Sequence, residues 1–503
     1  MGASSAQELL EQCPIGEVRT DVIVPAPPEL VRAPRKEAWE RRFPSKDALL
    51  VALQERLAGW PERLPAAMPE LPEEPTQFLQ QVARDTWRGL RSLRDREHGL
   101  PIDHVRWLGF DFDPRRAQIG DYTSSSNLGL FLLAAVAARE LGLETHESTV
   151  ALVRDVFDTM ERLERYEGFF FNYYDTTSLE RTSHFVSFVD SSWLTAALVV
   201  VRNALPELAP RATRFLSRED YGFFYDRARG QMRHGYYVKP GLISPFHYGM
   251  LFTEARLGSL LAIGKGDVPR AHWYGMVRTY PPGCRWQRQL PLQPAAERKN
   301  GFVVYRGYYQ WNGVSYVPSW GGSMFEALMP LLVIDEARHA PHGWGANARA
   351  HAVVQRRWSE EELHQVVWGQ SPCMNPHGLD YREFGVPPLG ARGYPSGAVT
   401  PHAAALALAV TPADAIANLQ RLAREYPLYA DFGFFDAVDP ATGVVARGYL
   451  NLDQAMIVVA IANHLVPGGV RQYFERDPWV RRALPLLAEE NLFGALDPAV
   501  ARQ

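Results

Sequence analysis

From about residue 76 to the end, apolar residues return every three or four positions, the spacing that lines one face of an α-helix. The pattern predicts helices over 76–95, 126–142, 146–164, 190–204, 208–217, 248–264, 322–336, 346–357, 359–368, 400–410, 412–425, 453–465 and 478–490. Thr411 and Ser359, each followed by acids, read as helix N-caps. Extended stretches are few. Phe302–Trp311 and Val314–Pro318 read as a hairpin turning at Asn312-Gly313, and 232–238 reads as a strand in need of a partner. A chain so rich in helices is all-α. The arrangement it suggests is an α/α barrel, a ring of outer–inner helix hairpins. An α-solenoid is the structural rival, but no repeat of fixed period supports it.

Three stretches pair glycine with aromatics and an acid: Gly168–Asp175, Gly222–Asp226 and Gly433–Asp439. Each follows an apolar helical run, where glycine permits a left-handed cap. Flat aromatic faces beside carboxylates suit a sugar ring, which is apolar above and hydroxyl-rich at its edge. The acids of these loops, Asp175, Asp226, Asp436 and Asp439, read as loop-fixing or rim residues, with Asp175 the one expected to touch sugar.

The 503 residues are 46% hydrophobic and 12% aromatic, enough for a large core. Residues 1–75 are rich in Pro, Glu and Arg and read as an N-terminal extension with a helix near 46–58; residues 76–503 read as the main domain. A formal net charge of −4 with scattered basic residues gives no basis for a nucleic-acid or membrane partner. Cys13, Cys284 and Cys373 are odd in number and widely spaced, so neither a disulfide framework nor a zinc site is expected. No secretion signal or membrane-spanning run is read, and the expectation is a cytoplasmic protein. No Walker A sequence, dinucleotide glycine pattern, Gly-x-Ser-x-Gly elbow or HExxH occurs. No cofactor or metal is therefore expected, and the oligomeric state is left open.

Several short motifs combine residues suited to chemistry. Glu254, in Tyr248–Arg256, sits within an apolar helical run, where a carboxyl is rare unless paired; an ion pair with Arg256 is the plain alternative. Asp190, in Phe185–Trp193, and Asp453, in Gly448–Met456, start apolar helices and also read as caps. Ser319–Glu326 opens a helix with two glycines and with Trp320, which suits a sugar floor or a core position. Trp368–His377 and Tyr381-Arg382-Glu383 form a long polar and aromatic loop of the kind that binds ligands. Asp121–Asn127 is a polar cluster before a helix.

With these motifs in place, the chain resembles the glycoamylase-like domain family, related to endo-β-1,2-glucanases and to the transglycosylating domain of cyclic β-1,2-glucan synthases. The resemblance rests on Tyr122–Leu130, Phe171–Thr176, Val186–Leu194, Thr253–Leu257, Ala262–Pro269 with His272-Trp273, Ser319–Glu326, Trp368–Pro372, Tyr381–Val386, Val399–Ala403 and Leu452–Met456, in order over roughly residues 80–490.

The resemblance implies an (α/α)6 toroid with a small β-hairpin insertion and the N-terminal extension outside it. It implies an inverting glycoside hydrolase acting on a β-linked glucan or oligosaccharide, most simply β-1,2-glucan, with Glu254 as general acid and Asp453 as general base. Asp190, Trp193, Asp175, Asn127, Arg256, Trp320, Tyr381, Arg382, Glu383, His402 and Gln454 are the implied sugar-binding residues. An apolar helix is expected to keep Glu254 protonated. A helix N-terminus is expected to keep Asp453 ionised. The pattern departs from the synthases, which carry histidines near the segment reading Leu452-Asp453-Gln454 here. Glycosyl transfer between saccharides and a non-catalytic carbohydrate-binding protein are the alternatives.

Overall fold

Two kinds of helix build this chain, and their sequences dictate which is which. The computed structural model describes residues 5–13, 70–107 and 117–493. Its principal helices are α1 (Ala6–Glu11), α2 (Pro75–Ser92), α3 (Ser125–Glu140), α4 (His146–Met160), α5 (Phe188–Ala204), α6 (Ala209–Leu216), α7 (Ala255–Lys265), α8 (Met324–Leu328), α9 (Ala346–Glu361), α10 (Pro401–Leu406), α11 (Pro412–Glu425), α12 (Asn451–Leu465) and α13 (Pro478–Ala483). In α3, α5, α7, α8, α10 and α12 nearly every residue is buried. A helix apolar on all sides has no stable place except an interior. In α2, α4, α6, α9, α11 and α13 one stripe is buried and the other side is wet; α11, for example, buries Ala415, Asn418, Leu419, Leu422 and Ala423.

The buried helices touch in a circuit: α3 packs on α5, α5 on α7, α8 on α10, α10 on α12, and α12 on α3. Arg256 of α7 closes the remaining step by donating to the carbonyls of Glu326 and Ala327 in α8. Each buried helix is backed by a one-faced helix: α4 behind α3, α6 behind α5, α13 behind α7, α9 behind α8, α11 behind α10 and α2 behind α12. Close approach is built in at Gly129, where a Cβ would lie 2.7 Å from the Trp193 carbonyl oxygen of α5.

Short strands are more numerous than the all-α expectation allows: twenty-two occur among the described residues. The three glycine–aromatic stretches account for several. Arg165–Tyr166 pairs with Phe169–Phe170, Tyr225–Asp226 with Gln231–Arg233, and Tyr429–Ala430 with Gly433–Phe434. These hairpins carry the chain from a one-faced helix to the next buried one. Gly168 and Gly433 do adopt positive φ (85° and 86°), but in hairpin turns rather than helix caps. The hairpin at Asn312-Gly313 forms as expected, with Leu292–Lys299 adding a strand on the far edge. The 232–238 stretch divides: Gln231–Arg233 pairs with His247–Tyr248, and Gly235–Tyr237 with Phe185–Ser187.

Other expectations shift. α9 runs through Ser359, which is buried inside it, so no separate helix covers 359–368. Pro485 and Pro330 interrupt two longer expected helices, because proline has no N–H to continue the ladder. The helix expected near 46–58 lies outside the described residues.

The cysteine expectation is overturned. Cys13 and Cys284 form a disulfide with Cα atoms 4.7 Å apart, while Cys373 is buried and unpaired. Wide spacing in sequence was a poor guide, because the fold brings α1 onto the Gly283 turn, whose N–H donates to the Leu10 carbonyl.

Candidate active site

Acids gather where the buried helices begin. At the start of α5, the Ser187 hydroxyl accepts the Asp190 N–H, so Ser187 is the cap and Asp190 is left free of that duty. The Asp190 carboxylate instead accepts from Ser126 Oγ (2.8 Å) at the start of α3 and from Asn172 Nδ2 (2.7 Å). Next to Ser126, Asn127 donates to Asp103 (2.7 Å), and Asn451 at the start of α12 donates to the Asn127 carbonyl. The starts of α3, α5 and α12 are thus stitched together by side-chain hydrogen bonds, those from Ser126, Asn127 and Asn172 ending on carboxylates.

Glu254 stands at the boundary before α7, not inside it, and makes no capping bond. The residue is half-buried, yet its Oε2 is enclosed and has no hydrogen-bond partner. The charge that acts on it most strongly is that of Glu326. That carboxylate accepts from Ser319 Oγ, the Gly321 N–H, and the Ser323 N–H and Oγ, as part of a capping box that folds the glycine turn over α8. Burial raises the Glu326 carboxyl, and these four donors oppose the rise, whereas Glu254 has no such donors to its enclosed oxygen. Burial, and then the negative charge of Glu326, push Glu254 up to about 8, so the proton of this pair rests on Glu254. The Arg256 alternative fails. Arg256 is fully buried, forms a two-pronged ion pair with Glu336 (2.6 and 3.0 Å), and spends its other donors on carbonyls. It holds the start of α7 in place and does not face sugar.

Asp453, in the first turn of α12, is about 1% exposed, and neither of its oxygens has a hydrogen-bond partner. Burial pushes its carboxyl well above the usual range, with Asp436 and Asp103 adding like charge. This corrects the expectation of an ionised Asp453: the helix N-terminus is outweighed by burial and by neighbouring acids. His402 Nδ1 approaches Asp453 Oδ2 at 3.2 Å. Burial drives that imidazole down to about 3, so the contact is with a neutral ring. Gln454 donates to the Phe434 carbonyl, fixing the adjacent turn.

The remaining expected residues divide. The Tyr381 ring is half-exposed and Glu383 is exposed. Burial of the Tyr381 hydroxyl end and the charges of Asp453, Asp436 and Glu383 raise it far above its ordinary value. Tyr248 responds to burial and then to Glu254, Asp190 and Glu383. Glu383 therefore lies in electrostatic reach of both the Glu254 side and the Asp453 side. Arg382 is exposed beside it, and Trp320 is half-buried against Trp286. Trp193 is about 1% exposed and belongs to the core. Asp175 accepts from the Thr177 and Ser178 N–H groups and fixes a turn. Asn127 works behind the acids, not among exposed groups.

Asp103, Glu326, Tyr248, Tyr394 and Asp436 belong to this cluster and were not singled out from the sequence as site residues. Burial and the charges of Glu326, Glu383 and Glu254 raise the Tyr394 hydroxyl. Tyr248 and Glu326 stood inside quoted motifs, and Asp436 in a quoted loop; their chemical company is what the sequence hid.

This is a carboxylate-rich site at the starts of the buried helices, and residues 290–478 match the Glycoamylase family model, described as "Putative glucoamylase". Over those residues the chain is similar to the Glycoamylase family. It is homologous to the cyclic β-(1,2)-glucan synthase NdvB of Rhizobium meliloti (strain 1021), at 26% identity over 83% of this chain and 19% of that protein. The chain thus spans about a fifth of the length of that curated relative. Its fold is similar to that of the endo-β-1,2-glucanase from Chitinophaga pinensis, solved with sophorotriose and glucose (TM-score 0.62, 16% identity, 81% of this chain and 96% of that one). It is also similar to the endo-β-1,2-glucanase from Talaromyces funiculosus, solved with sophorose (TM-score 0.63, 12% identity, 86% and 90%).

Proposed function

We propose that this chain is an inverting glycoside hydrolase that cleaves a β-linked glucan, with β-1,2-glucan the leading substrate. The observation that carries the reading is Glu254: a carboxyl kept protonated near neutrality, with an unpartnered buried oxygen, in electrostatic contact with the acids that line the site. Glu254 gives its proton to the leaving glycosidic oxygen. Water, deprotonated on the Asp453 side, attacks the anomeric carbon as the C–O bond breaks. Asp190, held by two donors, offers a fixed acceptor to a sugar hydroxyl, and Tyr381, Glu383 and Trp320 supply the flanking surface. Among the described residues, the six buried helices with their six backing helices support the (α/α)6 toroid as the frame. The Cys13–Cys284 disulfide supports an oxidising setting over the cytoplasmic one expected from the sequence.

The test is incubation with β-1,2-, β-1,3- and α-linked glucans, followed by product analysis and by NMR of the first-formed anomer. Release of inverted β-1,2-gluco-oligosaccharides is expected. A retained anomer overturns the inverting mechanism, and binding without products favours a carbohydrate-binding role. Homology to the synthase keeps glycosyl transfer as the second reading; products longer than the substrate identify it.

A further inference from the structure

Asp436 reads from the sequence as a loop-fixing acid. The fold places it against Asp453 instead. A carboxylate oxygen from each, with a ring nitrogen of His402, lie within 4.8 Å of one another, and all three side chains are about 1% exposed. Asp436 Oδ2 accepts the Met374 N–H at 2.6 Å, whereas its Oδ1 and both oxygens of Asp453 have no hydrogen-bond partner. Two ionised carboxylates about 4 Å apart repel by roughly 4 kcal/mol at an effective dielectric of about 20. Such a pair relieves the repulsion by keeping one proton between them.

We infer that Asp436 and Asp453 share one proton and act as a unit, so that the base of the reaction is the pair and Asp436 is its positioning partner. The inference rests on the hydrolase reading. The surroundings decide which member is ionised. From the strand His104–Trp107 and the residue before it, Asp436 faces Arg106 and His104, while Asp453 faces Asp103. From the hairpin of Cys373–Met374 with Tyr381–Arg382 come the Cys373 thiol and the Tyr381 hydroxyl. Burial pushes both up, so both are neutral. From α10 comes neutral His402. Asp380 acts on Arg106. Burial raises both carboxyls, but the N–H donor and the cation hold Asp436 to about 6, so the resting proton sits on Asp453. During the reaction that proton moves to the free Oδ1 of Asp436 as Asp453 takes a proton from water. The water oxygen bonds to the anomeric carbon, the glycosidic bond breaks, and the leaving oxygen takes the Glu254 proton. The pair ends with two protons and Glu254 with none; exchange with solvent resets both.

The test is the acid limb of the kcat/KM profile in Asp436→Asn and Arg106→Gln. Asn can still accept the Met374 N–H, but it cannot hold the anion or share the proton, so Asp453 alone sets the limb, which should move up by about one pH unit or more. Removing the Arg106 charge should also move it up. Upward shifts in both variants uphold the inference. Unmoved limbs in active variants overturn it, as does a stoichiometric divalent cation in the purified protein whose chelation abolishes activity. If Asp436→Asn fails to fold, Arg106→Gln decides. If the wild type cleaves no glycan, the hydrolase reading fails separately. The shared proton is then read by infrared spectroscopy in Glu254→Gln protein, as a protonated-carboxyl band at neutral pH whose frequency shifts in the added Asp436→Asn. Absence of that band, or its indifference to Asp436→Asn, overturns the pairing.

Discussion

At the scale of the residue, the site depends on which carboxyls keep protons. Glu254 is pushed up to about 8 by burial and by Glu326. A general acid must be protonated, so the rate should fall as pH rises through about 8, and a pH–rate profile of kcat/KM checks this. Glu254→Gln cannot donate and should lower kcat by about 10²–10⁴-fold, measured as release of reducing ends with folding confirmed by circular dichroism. A variant of full activity would remove Glu254 from the mechanism. Glu254 stood out because an acid in an apolar run is conspicuous in sequence, whereas Asp453 read locally as a helix cap and was singled out through the family resemblance. Arg256 was misread, because its partner Glu336 lies 80 residues away and nothing local announces the pairing. Asp436 was misread for the mirror reason: its loop chemistry is visible locally, whereas its meeting with Asp453 is made by the fold.

At the scale of the element, helix starts are the positioning device. The α3–α5 contact sets the distance between Ser126 and Asp190, and Gly129 sets that contact. Gly129→Ala puts a Cβ against the backbone of Trp193 and Leu194, which cannot yield as a side-chain tip can. The expected cost is about 1–3 kcal/mol, read from urea unfolding, with turnover falling beyond what the lost folded fraction explains. An unchanged stability and rate would show that the two helices have slack. The helices themselves were largely legible: α11 falls where its period and its proline put it. The strands were less so. Hairpins of two residues a side carry no period to read, and the start of α7 was set too early because Tyr248–Thr253 is apolar but turns instead of coiling.

At the scale of the molecule, the last described segment is pinned by charge. Glu490 accepts from Trp273, Arg278 and Arg306, all from a different part of the chain. Although burial opposes ionisation, these cations bring its carboxyl down to about 2. A lowered folded value contributes stability that is present above the ordinary carboxylate range and is lost as pH falls toward 2. Glu490→Gln strands the buried Arg278 guanidinium, leaves half-buried Arg306 to its ion pair with Glu297, and should cost about 3–5 kcal/mol, seen as a lower Tm at pH 7. The difference from wild type should shrink at low pH; a constant difference would mean that packing, not charge, holds the segment.

The gathering of Asp103, Asp190, Glu326, Glu383 and Asp436 at one site, with Arg106 the cation that acts on Asp436, should also make that site a filter. A saccharide bearing uronate or phosphate groups meets a field of its own sign before it meets any sugar-binding surface. Neutral oligosaccharides should therefore outcompete anionic ones of equal length, by a margin that narrows as salt rises. Equal turnover of both at low salt would show that the acids are screened from the saccharide.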